Sequence, residues 1–233
     1  MRHRCQVMGS ALELLAVSIA AYALGGIPTA LLIGQLFFGI DIRNYGSGNV
    51  GSTNALRVLG WQWGLIVQVI DILKGVLAVA VVAPLIASGQ TARGENVASM
   101  LAGVAAVIGH CWSPWAGLRG GKGVNTAAGV LAIMAPIELI IGLIAFGIAL
   151  LSSGYVSLGS LVAAVVVPFA FVIRMGWEEA LHSPLLWGMF AITLIVLLRH
   201  RANIQRLLAG TEHRFASVWL VGRLRKRAQT GAR

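Results

Sequence analysis

The feature that most constrains this chain is a succession of apolar runs, at about Leu12 to Phe38, Trp61 to Ala87, Val97 to Gly109, Val124 to Ser152, Tyr155 to Met175 and Leu185 to Leu198. A helix needs roughly 20 apolar residues to cover about 30 Å of hydrocarbon, where it satisfies its own backbone N–H and C=O groups. Several of these runs reach that length. With 58% of its residues hydrophobic and 11% charged, the chain is far more apolar than a soluble domain. Its seven Trp and three Tyr cluster near run ends, as interfacial anchors do. The expected fold class is all-α, a polytopic membrane helix bundle, and extended sheet is not expected.

The number of spans turns on the fourth run. As one helix it would extend roughly 40 Å or more at about 1.5 Å per residue. Pro136 and Glu138 stand near its middle, so it is expected to be two short helices. That split gives seven transmembrane helices and puts four of them between the Arg119–Lys122 loop and the basic C-terminal tail, so both face one side. All of the 18 Lys and Arg then lie on the inner face except Arg2, Arg4, Arg93, Arg174 and the intramembrane Lys74. This is the asymmetry that insertion favours, although Arg2 and Arg4 on an outer N-terminus run mildly against it. The motif loops are cytosolic in this arrangement. A single transmembrane catalytic domain is expected over 1–215 and a basic cytosolic tail over 216–233, with the last dozen residues disordered.

The net charge of +10 is read as positive-inside flanks and a lipid-headgroup contact rather than a nucleic-acid surface. Cys5 and Cys111 are far apart and no Cys or His cluster has metal-ligand spacing, so neither disulfide nor metal is expected. Arg2 and Arg4 before an apolar run look like a signal peptide, but the run continues to Phe38, and an uncleaved first span is expected.

Three polar segments interrupt this pattern. The first, Asn44 to Arg57, is far richer in Gly, Asn and hydroxyls than a turn requires. Glycines such as Gly48 let N–H groups converge on an anion, Ser47, Asn49, Thr53 and Asn54 add polar contacts, and Arg57 supplies a bidentate cation. An ordinary flexible loop would look similar. The second, Gly109 to Thr126, contains Gly120-Gly121-Lys122-Gly123 just before a helix, so backbone donors, the positive helix end and Lys122 could meet one phosphate. It lacks the GxxxxGK[ST] spacing and any preceding strand, which rules against nucleotide binding. A basic cytosolic loop is the plain alternative. In the third, Arg199 to Glu212, His200 and Asn203 share a helix face with Arg206 one turn further on. Arg201 adds a cation for phosphate, and Glu212, the only carboxylate nearby, would brace the basic groups. Within the spans, Asp71 and Lys74 are three apart and expected to pair structurally, while Ser157, Gly159 and Ser160 are as well suited to helix packing as to a site.

SGNVGSTNALR from Ser47 to Arg57, GHCWSPWAGLRGGKGVNT from Gly109 to Thr126 and HRANIQRLLAGTE from His200 to Glu212 together resemble the bacterial acyl-phosphate:glycerol-3-phosphate acyltransferases, the PlsY type. The order of the motifs and the spans between them match over nearly the whole chain. The resemblance implies a seven-helix, monomeric inner-membrane enzyme with a cytoplasm-facing site. Its reaction transfers a fatty acyl group from acyl phosphate to the 1-hydroxyl of glycerol 3-phosphate, giving lysophosphatidic acid and phosphate without metal or coenzyme. Carried over by position, its catalytic residues are Ser47, Arg57, Lys122, His200 and Asn203. Substrate contacts are expected at Gly48, Asn49, Thr53, Asn54, Gly120, Gly121, Gly123, Arg201 and Glu212. Departures from the family pattern are Ser52 for Ala, Pro114 one place late, Leu118-Arg119 for Phe-Lys, and Asn125 for Ala.

An acyl phosphate already carries a good leaving group, so direct attack suffices and the harder task is holding two phosphates together. His200 or a substrate phosphate oxygen could take the proton of the attacking hydroxyl. A transporter is the main competing class, but the polar motifs sit at span ends and no related halves are visible. A scaffold subunit would leave the His, Asn and Gly-Lys-Gly concentrations unused.

Overall fold

The computed structural model describes residues 2–87 and 92–215, so the basic tail expected at 216–233 lies outside the described residues. Helix is the regular structure throughout those residues. α1 (Arg2–Gly25) and α2 (Thr29–Phe38) are separated at Gly26-Ile27-Pro28, where proline lacks an N–H and disfavours helix in the residue before it. A loop then leads to the short α3 (Ser52–Val58). α4 (Trp61–Leu77) continues through a π-helical turn at Ala78–Val82 into α5 (Ala83–Ile86). The remaining helices are α6 (Ala92–Cys111), α7 (Val124–Met134), α8 (Pro136–Ser153), α9 (Val156–Met175), α10 (Trp177–Leu181), α11 (Pro184–Arg199) and α12 (Arg201–Leu208).

Among the described residues five helical segments are long and apolar enough to cross a membrane: Ala11–Phe38, Trp61–Ile86, Val97–Ala116, Pro136–Ser153 and Val156–Met175. α11 and α12 make a sixth only if taken together, and they are bent by 59° at His200. The expected break in the fourth apolar run is present, with Ala135 in a non-helical conformation (φ −153°, ψ 63°) and Pro136 opening α8. Its first half, α7, has 11 residues and a length of about 16 Å, short of a full crossing. α8 turns Ile140, Leu143, Ile144 and Ile148 outward, each more than half exposed, as a lipid-facing helix does.

Close backbone approach fixes the helix pairs. A Cβ on Gly25 would lie 2.1 Å from the Ala106 carbonyl oxygen and one on Gly109 2.1 Å from that of Tyr22, so α1 and α6 touch through their glycines. α4 and α7 meet the same way, Gly75 against Thr126 and Gly129 against Ile72. α8 packs on α9, and α11 lies against both α6 and α9. The α4–α7 contact carries the Lys122 loop to α3 and Arg57.

Two ion pairs knit the bundle, one wholly buried and one with only its carboxylate buried. Lys74 Nζ donates to Asp71 Oδ1 at 2.7 Å, as its spacing predicts, and also to the Ile27 carbonyl at the α1–α2 break. Thr29 Oγ1 donates to the same Asp71 oxygen at 3.1 Å. At the end of the bundle remote from the motif loops, Arg174 Nε donates to the fully buried Glu138 at 2.6 Å, joining the start of α8 to the end of α9.

Candidate active site

The three polar segments converge on one cavity of about 690 Å³. Its first wall is the loop before α3. Gly46 and Gly48 adopt positive φ (61° and 68°), which turns the loop tightly. The buried Asn54 amide holds the turn from inside: its Oδ1 accepts the Ser47 N–H at 2.8 Å, and its Nδ2 donates to the Tyr45 and Ile42 carbonyls at 3.1 and 3.3 Å. Asn54 therefore shapes the loop, and it lines the cavity together with Ser47, Asn49 and Thr53. Arg57, one turn along α3, also lines it. Its guanidinium lies 5.0 Å from the Phe215 ring centroid, and its buried Nε has no hydrogen-bond partner among the described residues. Burial lowers its pKa from the usual arginine value.

The second wall is the glycine loop. Gly121 N–H donates to the His110 carbonyl at 2.9 Å, and the Gly120 and Gly121 carbonyls each accept from the Arg199 guanidinium at 3.0 Å. These two glycines brace the loop and do not line the cavity, whereas Lys122 and Gly123 do. Gly123 has φ 83° as the N-cap of α7, a conformation that glycine adopts without penalty. Burial, assisted by Arg206, Arg57 and Arg199 and opposed by Glu212, pushes the Lys122 ammonium down to about 8.

The third wall begins at the α11–α12 bend. His200 Nδ1 lies 2.8 Å from the Val196 carbonyl. A carbonyl only accepts, so Nδ1 carries the proton and the Nε2 lone pair is available. Burial and the Lys122 cation push the imidazole down to about 4, so it is neutral near pH 7. Asn203, on the same face, accepts from Lys122 Nζ at 2.6 Å and donates to Glu212 Oε1 at 2.7 Å. Glu212 also accepts from Ser157 Oγ at 2.9 Å and from Arg206 Nε at 2.7 Å. Burial opposes its ionisation, but these three donors hold its carboxyl below the usual range. One hydrogen-bonded chain thus joins the second and third motifs across α9.

Most residues expected from the sequence meet here, and some do not. Arg201 is exposed and off the lining; it sits about 160° around α12 from Asn203, whereas Arg206 lies only about 60° from Asn203 and lines the cavity. Gly48 and Gly120 line a neighbouring hollow instead. The lining also includes Gln68, Asp71, His110, Asn125, Ser157 and His213, from elements distant in sequence. Asn125 Nδ2 donates to Ser52 Oγ at 2.9 Å. These are two of the positions that depart from the family pattern, and here they bond to each other. Among the described residues no three of His, Cys, Asp and Glu converge as a metal site would require. An apolar groove between α7, α8, α9 and α11 opens from the cavity at Val124, Phe146 and Ser160.

Residues 15–210 match the family model described as glycerol-3-phosphate acyltransferase. The chain belongs to the glycerol-3-phosphate acyltransferase family. A glycerol-3-phosphate acyltransferase of Chlorobaculum tepidum is 41% identical over 226 residues, covering 88% of this chain and 97% of the relative. That of Salinibacter ruber is 46% identical over 216 residues, covering 88% and 93%. Among solved structures, the glycerol 3-phosphate form of PlsY (YgiH), an integral membrane glycerol 3-phosphate acyltransferase, superposes with a TM-score of 0.75 at 36% identity, over 88% of this chain and 96% of that one. The lysophosphatidic acid form gives 0.74 at 33% identity, over 89% and 98%. This acyltransferase is thus an integral membrane enzyme of phospholipid synthesis, and the helix bundle supplies the scaffold for it.

Proposed function

We propose that this acyltransferase moves a fatty acyl group from acyl phosphate to the 1-hydroxyl of glycerol 3-phosphate, releasing lysophosphatidic acid and inorganic phosphate. The observation that carries this reading is the meeting of Arg57, Lys122 and Arg206 around one polar cavity that continues into an apolar groove. Two phosphates held close together need several cations, and an acyl tail needs an apolar slot; the two compartments share Val124, Phe146 and Ser160. The solved glycerol 3-phosphate and lysophosphatidic acid forms of PlsY are consistent with that acceptor and product.

In this mechanism Ser47, Arg57 and Lys122 hold the phosphates, and Glu212 keeps Asn203 and Arg206 in place. The 1-hydroxyl oxygen attacks the acyl carbonyl carbon, the bond from that carbon to the phosphate oxygen breaks, and phosphate leaves with the electron pair. For the hydroxyl proton, a group at about 4 competes with a phosphate monoester whose second pKa is about 6. The phosphate is the stronger base, so His200 Nε2 orients the hydroxyl and a substrate phosphate oxygen takes the proton. No metal or coenzyme enters any step.

We further read the protein as a monomer of the bacterial cell membrane with seven spans, the short α7 counting as one. The N-terminus is then outside and all three motifs face the cytoplasm, because an even number of spans separates each motif from the next. Purified protein given palmitoyl phosphate and labelled glycerol 3-phosphate should form labelled lysophosphatidic acid; its absence in correctly folded protein rules out the reaction. Single cysteines near Ser47, Gly121 and Gly210 should all react from the cytoplasmic side of sealed vesicles. Labelling from different sides would break the site apart.

A further inference from the structure

The Ser47–Asn49 loop has a second face. It forms one wall of a smaller hollow, of about 280 Å³, whose other walls carry Arg43, Arg119 and Arg199. Two of these guanidiniums are held in place by the fold. Arg43 pairs with Asp41 through Nε at 2.9 Å and Nη2 at 2.6 Å, and its Nη1 donates to the Ala116 carbonyl at 3.2 Å. Arg199 donates to the Gly120 and Gly121 carbonyls and stacks over Trp112 at 5.3 Å. Those carbonyls are neutral, so they position the Arg199 charge without cancelling it. Arg119 is exposed at the rim, close enough that its charge contributes to holding the Asp41 carboxyl below its ordinary range.

Among the described residues Asp41 is the one carboxylate paired with this group, so three guanidiniums against one carboxylate leave a net charge of +2. That equals the charge of one phosphate dianion with its sign reversed. The rim is built with backbone strain: Gly117 and Leu118 have successive positive φ values of 63° and 60°, a region that a bulky residue such as leucine occupies only where its surroundings hold it there. The Leu118 N–H donates to the Ser113 carbonyl at 2.8 Å, which closes that turn. Uncompensated guanidiniums in a concavity raise the local potential and favour a planar, bidentate anion contact.

We propose that this hollow is a second phosphate-binding site, separated from the catalytic cavity only by Ser47 and Asn49, which line both. Its ligand is a phosphate dianion or phosphomonoester, supplied either as free phosphate leaving the catalytic cavity or as an anionic lipid headgroup at the interface. The site stands on its own residues and does not depend on which acyl donor the enzyme uses.

The test is calorimetric titration of the full chain with inorganic phosphate in phosphatidylcholine nanodiscs. Wild type should bind one phosphate more than the catalytic cavity takes by itself. Arg119→Gln, whose side chain does not line the catalytic cavity, should keep the binding in that cavity and its initial rate, but lose affinity at the hollow by about ten-fold or more. Arg119→Lys should fall between them. Repeating the wild-type titration in nanodiscs that contain phosphatidic acid, a phosphomonoester lipid, separates the sources: loss of the additional phosphate site assigns it to a headgroup, and its persistence assigns it to free phosphate. The same number of phosphates bound with the same affinities in wild type and Arg119→Gln in phosphatidylcholine overturns the proposal.

Discussion

Lys122→Ala is expected to lower kcat/KM by about 10²- to 10³-fold while leaving the protein folded, the loss typical of a donor aimed at developing charge. The ammonium is anchored on one side only, by Asn203 Oδ1 at 2.6 Å, and it lines the cavity at the mouth of the α7 N-terminus. Removing it deletes a cation from a site that holds two phosphates, and Asn203 keeps Glu212 as a partner. The same side chain should write the alkaline limb of the pH profile. Burial has pushed Lys122 down to about 8, and the protonated form is the active one. In the free enzyme, then, kcat/KM should fall as pH rises through that value, while the substrate phosphate, with a second pKa of about 6, sets the acid limb. Bound phosphate favours the ammonium, so the limb in kcat should lie at higher pH. Lys122→Arg, which does not lose its proton in this range, should abolish the limb even where it lowers the rate. Identical alkaline limbs in wild type and Lys122→Arg would show that another group titrates.

What could be read from the sequence was whatever chain order itself enforces. Pro136 within an overlong apolar run announced the α7–α8 break, because proline removes a hydrogen bond at that point. His200, Asn203 and Arg206 were placed by helical periodicity, and the lining includes all three. Arg201 was added for its charge and falls outside the same periodicity. The break at Gly26-Ile27-Pro28 was hidden inside a run whose total length suited one span. Contacts between distant elements left no local signal: Ser157 on α9 bonds Glu212 across 55 residues, and Asp71 and His110 reach the cavity from buried positions within spans. Ser52 and Asn125 illustrate the limit most clearly. Each is a separate departure from the family pattern in the sequence, and only the α4–α7 packing makes them one hydrogen-bonded pair at 2.9 Å.

Palmitoyl phosphate should serve as donor, and palmitoyl-CoA should be used on the order of 10⁴-fold less well, since a site whose buried donors await a phosphate leaves them unpaired when a thioester takes its place. Arg57 already has one buried donor without a partner among the described residues. A thioester donor would instead need a strong general base, and such acyltransferases carry a histidine with an aspartate five residues on. In this chain the residues five beyond His3, His110, His182, His200 and His213 are Met8, Trp115, Trp187, Gln205 and Val218. The one histidine facing the cavity from the third motif hydrogen-bonds a neutral backbone carbonyl at Val196 through Nδ1, not a carboxylate, and burial holds it at about 4. Such an imidazole is too weak a base to drive alkoxide attack on a thioester. With acyl phosphate the leaving group is better, and the substrate brings its own phosphate oxygen to take the proton. Side-by-side assays of one purified preparation with labelled glycerol 3-phosphate decide the matter: ample lysophosphatidic acid from palmitoyl-CoA and none from palmitoyl phosphate would reverse the donor assignment, leaving the phosphate-rich cavity to be explained by the acceptor alone.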